Sequence, residues 1–422
     1  MTRLWTTGGD PAPVWDTDGR LVFGSGGGTT PPPETGTDPA LLTVHRHVVD
    51  RCAWWRTTAT AGSSGNTHFS EHTVQRPAKA LRIRQGVHGS AGVTDAMHGT
   101  AGIVIDGAYH PLTWGGERQV SIPVNDSRES DPLPEHVQVE PGDTIIVVWE
   151  TPAGGRYPSG HHGWVDLNSG NLGGPFRGFV PPMAESMLSG SPVAVSGLTT
   201  DDGMSIAWLG DSFTEAGWAR NSFHQAGGLA WAELSQWAEP VPSSRSAQRN
   251  RVGAEGALPW DVVFAGHHGN NSTGTWEAQM EATLAYWSWI RDAGAKVATK
   301  TLHPYTDSTD GWTSIGGQTL QEHRLPEVRW ARNAWLLDGA PLSVSLDPFE
   351  TGTTNAAALR AGDPGHPLAY PVFDEAAACE DPTTRLWKVD GGAWTVDGAH
   401  LTAHGSAMIE PYFETWVRAN LT

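Results

Sequence analysis

Near residue 200 the chain changes the period of its hydrophobic pattern, and that change limits the folds open to it. From Leu41 to Thr200 the apolar residues come in short runs, "LLTVHRHVV", "KALRIRQGV", "AGIVIDGAYHPLTW", "RQVSIPV" and "DTIIVVWE", several alternating residue by residue. Turn-forming "GG", "NDS" and "EPGD" separate them. Alternation marks strands that bury one face, because successive side chains of a strand point to opposite sides. With no strong long helical pattern between them, these runs predict an antiparallel β-sandwich of jelly-roll type. Its expected inward residues include Ile83, Ile103, Ile105, Ile146 and Val148. After Asp202 strand and helix patterns take turns. "MSIAWLG", "DVVFAG", "KVATKTL" and "PLSVSL" read as buried strands; "GLAWAELSQWAE", "TWEAQMEATLAYWSWIRDAGA", "LPEVRWARNAWLLDGA" and "GSAMIEPYFETWVRA" read as helices. Alternating units of this size predict an α/β fold whose parallel sheet is covered on both faces, with any ligand at the carboxyl ends of the strands.

The organisation expected is an arm and linker over residues 1–38, a β-sandwich over 39–200 and an α/β domain over 201–422. The linker is "GSGGGTTPPPETGTDP", which has almost nothing to bury, and the Trp-bearing arm before it reads as an attachment segment. The N-terminus has no 7–15-residue apolar stretch of the signal-peptide kind, and no run of about 18 apolar residues predicts a membrane span. A formal net charge of −19, from 46 acidic against 27 basic residues, argues against a nucleic-acid partner. Cys52 and Cys379 allow at most one disulfide, so no disulfide framework holds the fold. Most of the 21 Trp should pack cores and interfaces, although their flat faces also stack on sugar rings.

The chemistry concentrates at "SIAWLGDSFTEAGWAR". Asp211 and Ser212 follow a buried strand and precede a helix-like stretch, where Asp and Ser very often act only as a turn and N-cap. The same place can expose a Ser hydroxyl at the sheet edge, beside backbone N–H groups that favour a developing negative charge. A nucleophilic Ser needs a base and an acid to orient it. Asp397/His400 offers that pair, but Asp95/His98 and Asp363/His366 share the Asp-x-x-His spacing, which alone does not choose among them. His161/His162 and His267/His268 are adjacent pairs that a strand would point to opposite faces, so a metal site is not expected.

"GDSFTEAG" with Ser212, "RNRVGAEGA", "ARNAWLLDG" and "DGAHLTAHGSAM" resemble the SGNH or GDSL-type serine esterases. The upstream "LTWGGERQVSIPVNDSRESDPL" is similar to the β-sandwich that precedes the catalytic domain in one subgroup. The resemblance implies a flavodoxin-like three-layer hydrolase domain with Ser212 as nucleophile, His400 as base and Asp397 as its orienting acid. It also implies an oxyanion hole of the Ser212 and Gly256 N–H groups and the Asn271 amide, and no cofactor. One block departs from the family. In place of Gly-x-Asn-Asp the chain has "AGHHGNNSTG", where spacing from Gly266 puts His268 in the Asn position, while reading from Gly269 gives Asn271 followed by Ser272. Asn270 is the rival. The family acts on acetylated polysaccharides, lipids and small acyl esters, and in an extracellular or virion-associated setting. Abundant Trp, an acidic surface and no long apolar lid favour an acylated carbohydrate as substrate. The alternative is a glycan-binding structural protein, such as a phage tail component attached through its arm, with the esterase domain as scaffold.

Overall fold

The computed structural model describes residues 14–15, 21–22, 42–210 with short gaps, 230–233, 258–266 and 275–421. In the arm, Val14–Trp15 pairs antiparallel with Leu21–Val22.

None of the described residues before Trp276 is helical. The strands used below are β1 (Val44–His47), β2 (Cys52–Ala53), β3 (Asn66–Thr73), β4 (Ala78–Val87), β5 (Met97–Ile105), β6 (Thr144–Thr151) and β7 (Ala194–Thr199). A seven-stranded antiparallel sheet is centred on β5, β6 and β3, and a five-stranded one on β4, β7 and β1. Leu81 and Ile83 of β4 share one core with Ile103 and Ile105 of β5 and with Ile145 and Val147 of β6.

Ile83, Ile103 and Ile105 therefore point inward as their alternation predicts, but Ile146 and Val148 do not. Val148 is buried with Phe69 and Val104 on the other side of the sheet, and Ile146 packs partly buried against them. The run "IIVV" is apolar on both faces, so alternation within it has no phase. The register decides: Ile145 lies opposite Ile105 and Val147 opposite Ile103.

A separate, all-parallel sheet has the order β11-β10-β8-β9-β2, where β8 is Ser205–Leu209, β9 Ala230–Glu233, β10 Val262–Ala265 and β11 Lys296–Thr299. β2, from the N-terminal half of the chain, forms one edge. At the other edge, isolated parallel bridges join Val297 to Leu368 and Lys300 to Phe373. The helices are α1 (Trp276–Asp292), α2 (Pro326–Leu337), α3 (Glu375–Cys379) and α4 (Ala403–Asn420), and a short hairpin joins β12 (Thr306–Ser308) to β13 (Gln318–Leu320). Thr275 caps α1 by accepting from the Ala278 N–H at 3.3 Å.

Two expectations fail here. Ala230–Glu233, read as part of an amphipathic helix, is a strand in register with Ser205–Trp208; so short an apolar run fits either period, and pairing with β8 settles it. "PLSVSL" is no strand either: Leu342 makes only isolated antiparallel bridges, and Val344 is exposed in a turn.

Every residue of β8 is buried, as a strand covered on both sides requires. Ala207 and Leu209 belong to a core with Met280, Trp287 and Ile290 of α1 and Trp335 and Leu336 of α2, whereas Ile206 and Trp208 pack with Ile409, Phe413 and Val417 of α4. Trp208 stacks on Phe264 at 4.2 Å between ring centres and meets the Phe413 edge at 5.3 Å. Trp149, Trp208, Trp260, Trp287, Trp335, Trp387 and Trp394 are fully buried, so these seven fill cores and present no face to a sugar. Cys52 and Cys379 are buried and unbonded to each other, and burial pushes both thiols up. Among the described residues no helix is long and apolar enough to cross a membrane.

Asp261, just before β10, ties β1 to the parallel sheet. Its carboxylate accepts from Arg46 Nε at 2.5 Å, from the Ser205 N–H at 2.8 Å and from Ser205 Oγ at 2.7 Å. Asp261→Ala leaves these donors without their acceptor and should lower unfolding free energy by about 2–3 kcal/mol. Urea denaturation measures this, and an unchanged midpoint would show that the contact contributes nothing.

Candidate active site

Parallel strands bring their carboxyl ends to one edge of a sheet. There β8 ends at Leu209, whose carbonyl accepts the Gly266 N–H at 2.6 Å, and β11 runs into Lys300-Thr301-Leu302-His303. Ser212, Gly256, Asn271 and its rival Asn270 lie outside the described residues, as do Asp95, His162, His267 and His268. Asp397 and His400 are described, in the loop before α4.

That loop folds around the Asp397 carboxylate. Oδ1 accepts the Ala399 N–H at 2.9 Å, the His400 N–H at 2.8 Å and the Thr395 hydroxyl at 3.2 Å, while Oδ2 lies 2.6 Å from His400 Nδ1. A carboxylate only accepts, so Nδ1 carries the proton and, in the neutral ring, Nε2 keeps its lone pair. Partial burial acts to raise the Asp397 carboxyl, but the His400 ring and the His400 and Ala399 N–H groups outweigh it and hold the carboxyl well below the usual range. Both side chains are partly exposed, at 37% for His400 and 49% for Asp397, so the pair is open to solvent.

The glycines of "DGAHLTAHG" have steric reasons. Gly398 has φ +79°, and a Cβ there would lie 1.6 Å from the Thr306 carbonyl oxygen. At Gly405 a Cβ would meet the Trp394 oxygen at 2.6 Å. Thr402 caps α4, accepting from the Gly405 N–H at 3.1 Å and donating to the Ala393 carbonyl at 2.7 Å.

The other pairs of the same spacing are built differently. His366 is buried with Nε2 donating to the Ala340 carbonyl at 2.8 Å and Nδ1 accepting the Leu368 N–H at 3.0 Å, and Asp363 accepts instead from the Arg360 N–H at 2.7 Å. Both ring nitrogens are committed to the backbone. His98 is exposed on β5, in the antiparallel sheet.

A cluster that sequence reasoning missed lies under the Asp397–His400 loop. Lys300 and His303, at the end of β11, both contact Glu375, the first residue of α3; His303 Nδ1 is 3.3 Å from Glu375 Oε1, and Lys300 Nζ pairs with Oε2. All three are buried. Burial acts to raise the Glu375 carboxyl, but the charges of Lys300 and His303 prevail and hold it down. Burial also lowers His303; Glu375 pulls it up, while Lys300 and then His400 push it down, so the cluster and His400 share one electrostatic neighbourhood. Lys300 and Glu375 stand 75 residues apart, and no short motif signals the pairing. Among the described residues no group of three or more His, Cys, Asp or Glu is arranged to hold a metal ion.

No family model matches the chain, and no curated protein matches it. Solved structures of SGNH and GDSL hydrolases are similar to it at low identity. A GDSL-like lipase from Bacteroides thetaiotaomicron is 14% identical, over 51% of this chain and 88% of its own, with a TM-score of 0.34. A peptidoglycan O-acetylesterase is 10% identical over 93% of this chain and 81% of its own (TM-score 0.35), and a salicylyl-acyltransferase from a tetracycline biosynthetic pathway 13% identical over 85% and 82% (TM-score 0.30). At TM-scores below 0.5 such likeness says nothing about the reaction of this chain.

Proposed function

We propose that the protein is a serine ester hydrolase of the SGNH type, with a flavodoxin-like catalytic domain over 201–422 preceded by a β-sandwich over 39–200. The observation that carries this reading is the 2.6 Å contact of His400 Nδ1 with Asp397, which leaves Nε2 as a base, in a loop held to the segment that continues from the carboxyl end of β11. Ser212, three residues beyond Leu209 at the end of β8, attacks the ester carbonyl carbon as His400 Nε2 takes its proton. The tetrahedral oxyanion is met by the Ser212 and Gly256 N–H groups and the Asn271 amide, each such donor being worth about 2.7–4 kcal/mol at the transition state. His400 then protonates the leaving alcohol, and water attacks the acyl-enzyme with His400 again as base. Asp397 holds the imidazole in the required tautomer throughout. The substrate class we favour is an acylated carbohydrate carrying chiefly acetyl esters, on the Trp content and net charge of −19.

The test is hydrolysis of p-nitrophenyl acetate by the wild type and by Ser212→Ala. A wild-type rate well above buffer, lost in the variant, supports the reading; equal and negligible rates favour a glycan-binding module on an esterase scaffold. Acetate release from a panel of acetylated polysaccharides then identifies the sugar.

A further inference from the structure

Burying Lys300, Glu375 and His303 together is costly, and apolar residues of similar volume often give equal or greater stability. Their contacts lead toward the candidate base. The His303 ring lies 5.2 Å from the Trp387 ring. Trp387 Nε1 donates to the Gly398 carbonyl at 3.1 Å, and the Thr306 N–H, three residues beyond His303, donates to the same oxygen at 3.0 Å. Gln318 holds the Trp387 backbone from both sides, donating to its carbonyl at 2.9 Å and accepting its N–H at 3.1 Å. Gly398 and Ala399 alone separate Asp397 from His400, so a fixed Gly398 carbonyl fixes the turn in which the carboxylate meets the ring.

Resting on the esterase reading above, we infer that the buried Lys300–Glu375–His303 cluster positions the Asp397–His400 pair through Trp387 and Thr306. His303 and Trp387 are thereby positioning residues for the reaction. Glu375 locks the His303 imidazole, the imidazole braces the Trp387 indole, and the indole N–H aims the Gly398 carbonyl. The cluster acts on the orientation of His400 and touches no substrate.

Two variants that keep an aromatic ring at each position test this. Trp387→Phe removes the donation to Gly398, and His303→Phe removes the bond to Glu375 while leaving Lys300 to pair with it. In each, kcat on p-nitrophenyl acetate should fall by about ten- to a hundredfold with KM changed by less than about twofold, since misplacement of a catalytic group acts on the chemical step. A second readout is the low-field proton resonance of the His400 Nδ1–H bonded to Asp397, identified by its absence in His400→Ala. It should move upfield or vanish in both variants. Folded variants with wild-type kcat and an unmoved resonance would overturn the inference. A wild type with no esterase activity would defeat the functional reading alone; the resonance then decides the positioning role, which stands if the signal is lost in the variants and falls if it is unmoved.

Discussion

His400→Ala is expected to lower turnover of p-nitrophenyl acetate by about 10⁶-fold, as far as Ser212→Ala does, because removing either partner of a nucleophile–base pair disables both. Asp397→Asn should cost about 10⁴-fold: the amide can present its NH₂ to Nδ1 and stabilise the wrong tautomer, yet the base is still there. His366→Ala should leave turnover near the wild-type value. The structure commits both nitrogens of that ring to the Ala340 carbonyl and the Leu368 N–H, so its loss should show as about 1 kcal/mol or more of stability instead. A dead His366→Ala beside a live His400→Ala would mean the wrong pair has been chosen. Asp397 also leaves a trace in acid. Its folded carboxyl titrates below the ordinary carboxylate range, so the stability it contributes is full above that range and lost as pH falls through the folded value. Asp397→Asn should therefore flatten the acid limb of a stability-against-pH curve, and an unchanged limb would rule out this contribution.

Gly398→Ala should also damage activity, less severely, through backbone alone. The added Cβ would sit 1.6 Å from the Thr306 oxygen, about 2 Å short of ordinary contact, and φ +79° is a conformation that an L residue enters at a cost of about 1–2 kcal/mol. Either the β12–β13 hairpin or the Asp397–His400 turn must move. A shift of about 1 Å in a catalytic group can cost a hundredfold, so kcat should drop by at least about that much, with a lowered melting temperature. Full activity in Gly398→Ala would show that the Gly398–Thr306 approach has no bearing on the base.

Much of this protein is legible in its sequence for local reasons. The alternating runs before Thr200 and much of the βα alternation after Asp202 mark described strands and helices, since each period reports the geometry of one element. Thr402 before α4, Thr275 before α1 and Gly398 at a positive φ are equally local, because a cap or a left-handed turn is decided within a few residues. Where two local structures satisfy the same residues, the sequence is silent. "IIVV" is apolar on both faces, so only pairing with β5 turns Ile145 and Val147 to the main core; Ala230–Glu233 is a strand only because β8 lies beside it. The choice among three Asp-x-x-His pairs is of the same kind. Identical spacing closes on itself at Asp397/His400 and not at Asp363/His366, because backbone groups elsewhere in the fold occupy the His366 ring. Lys300, His303 and Glu375 go further still, for a buried charge cluster has no sequence pattern of its own. The sequence by itself determined most of the described strands and helices and their order, with Ala230–Glu233 and "PLSVSL" as the exceptions. Tertiary structure alone decided which faces are buried, which Asp-x-x-His pair closes on itself, and which distant charges lie beneath it, since those depend on contacts between segments that no local period encodes.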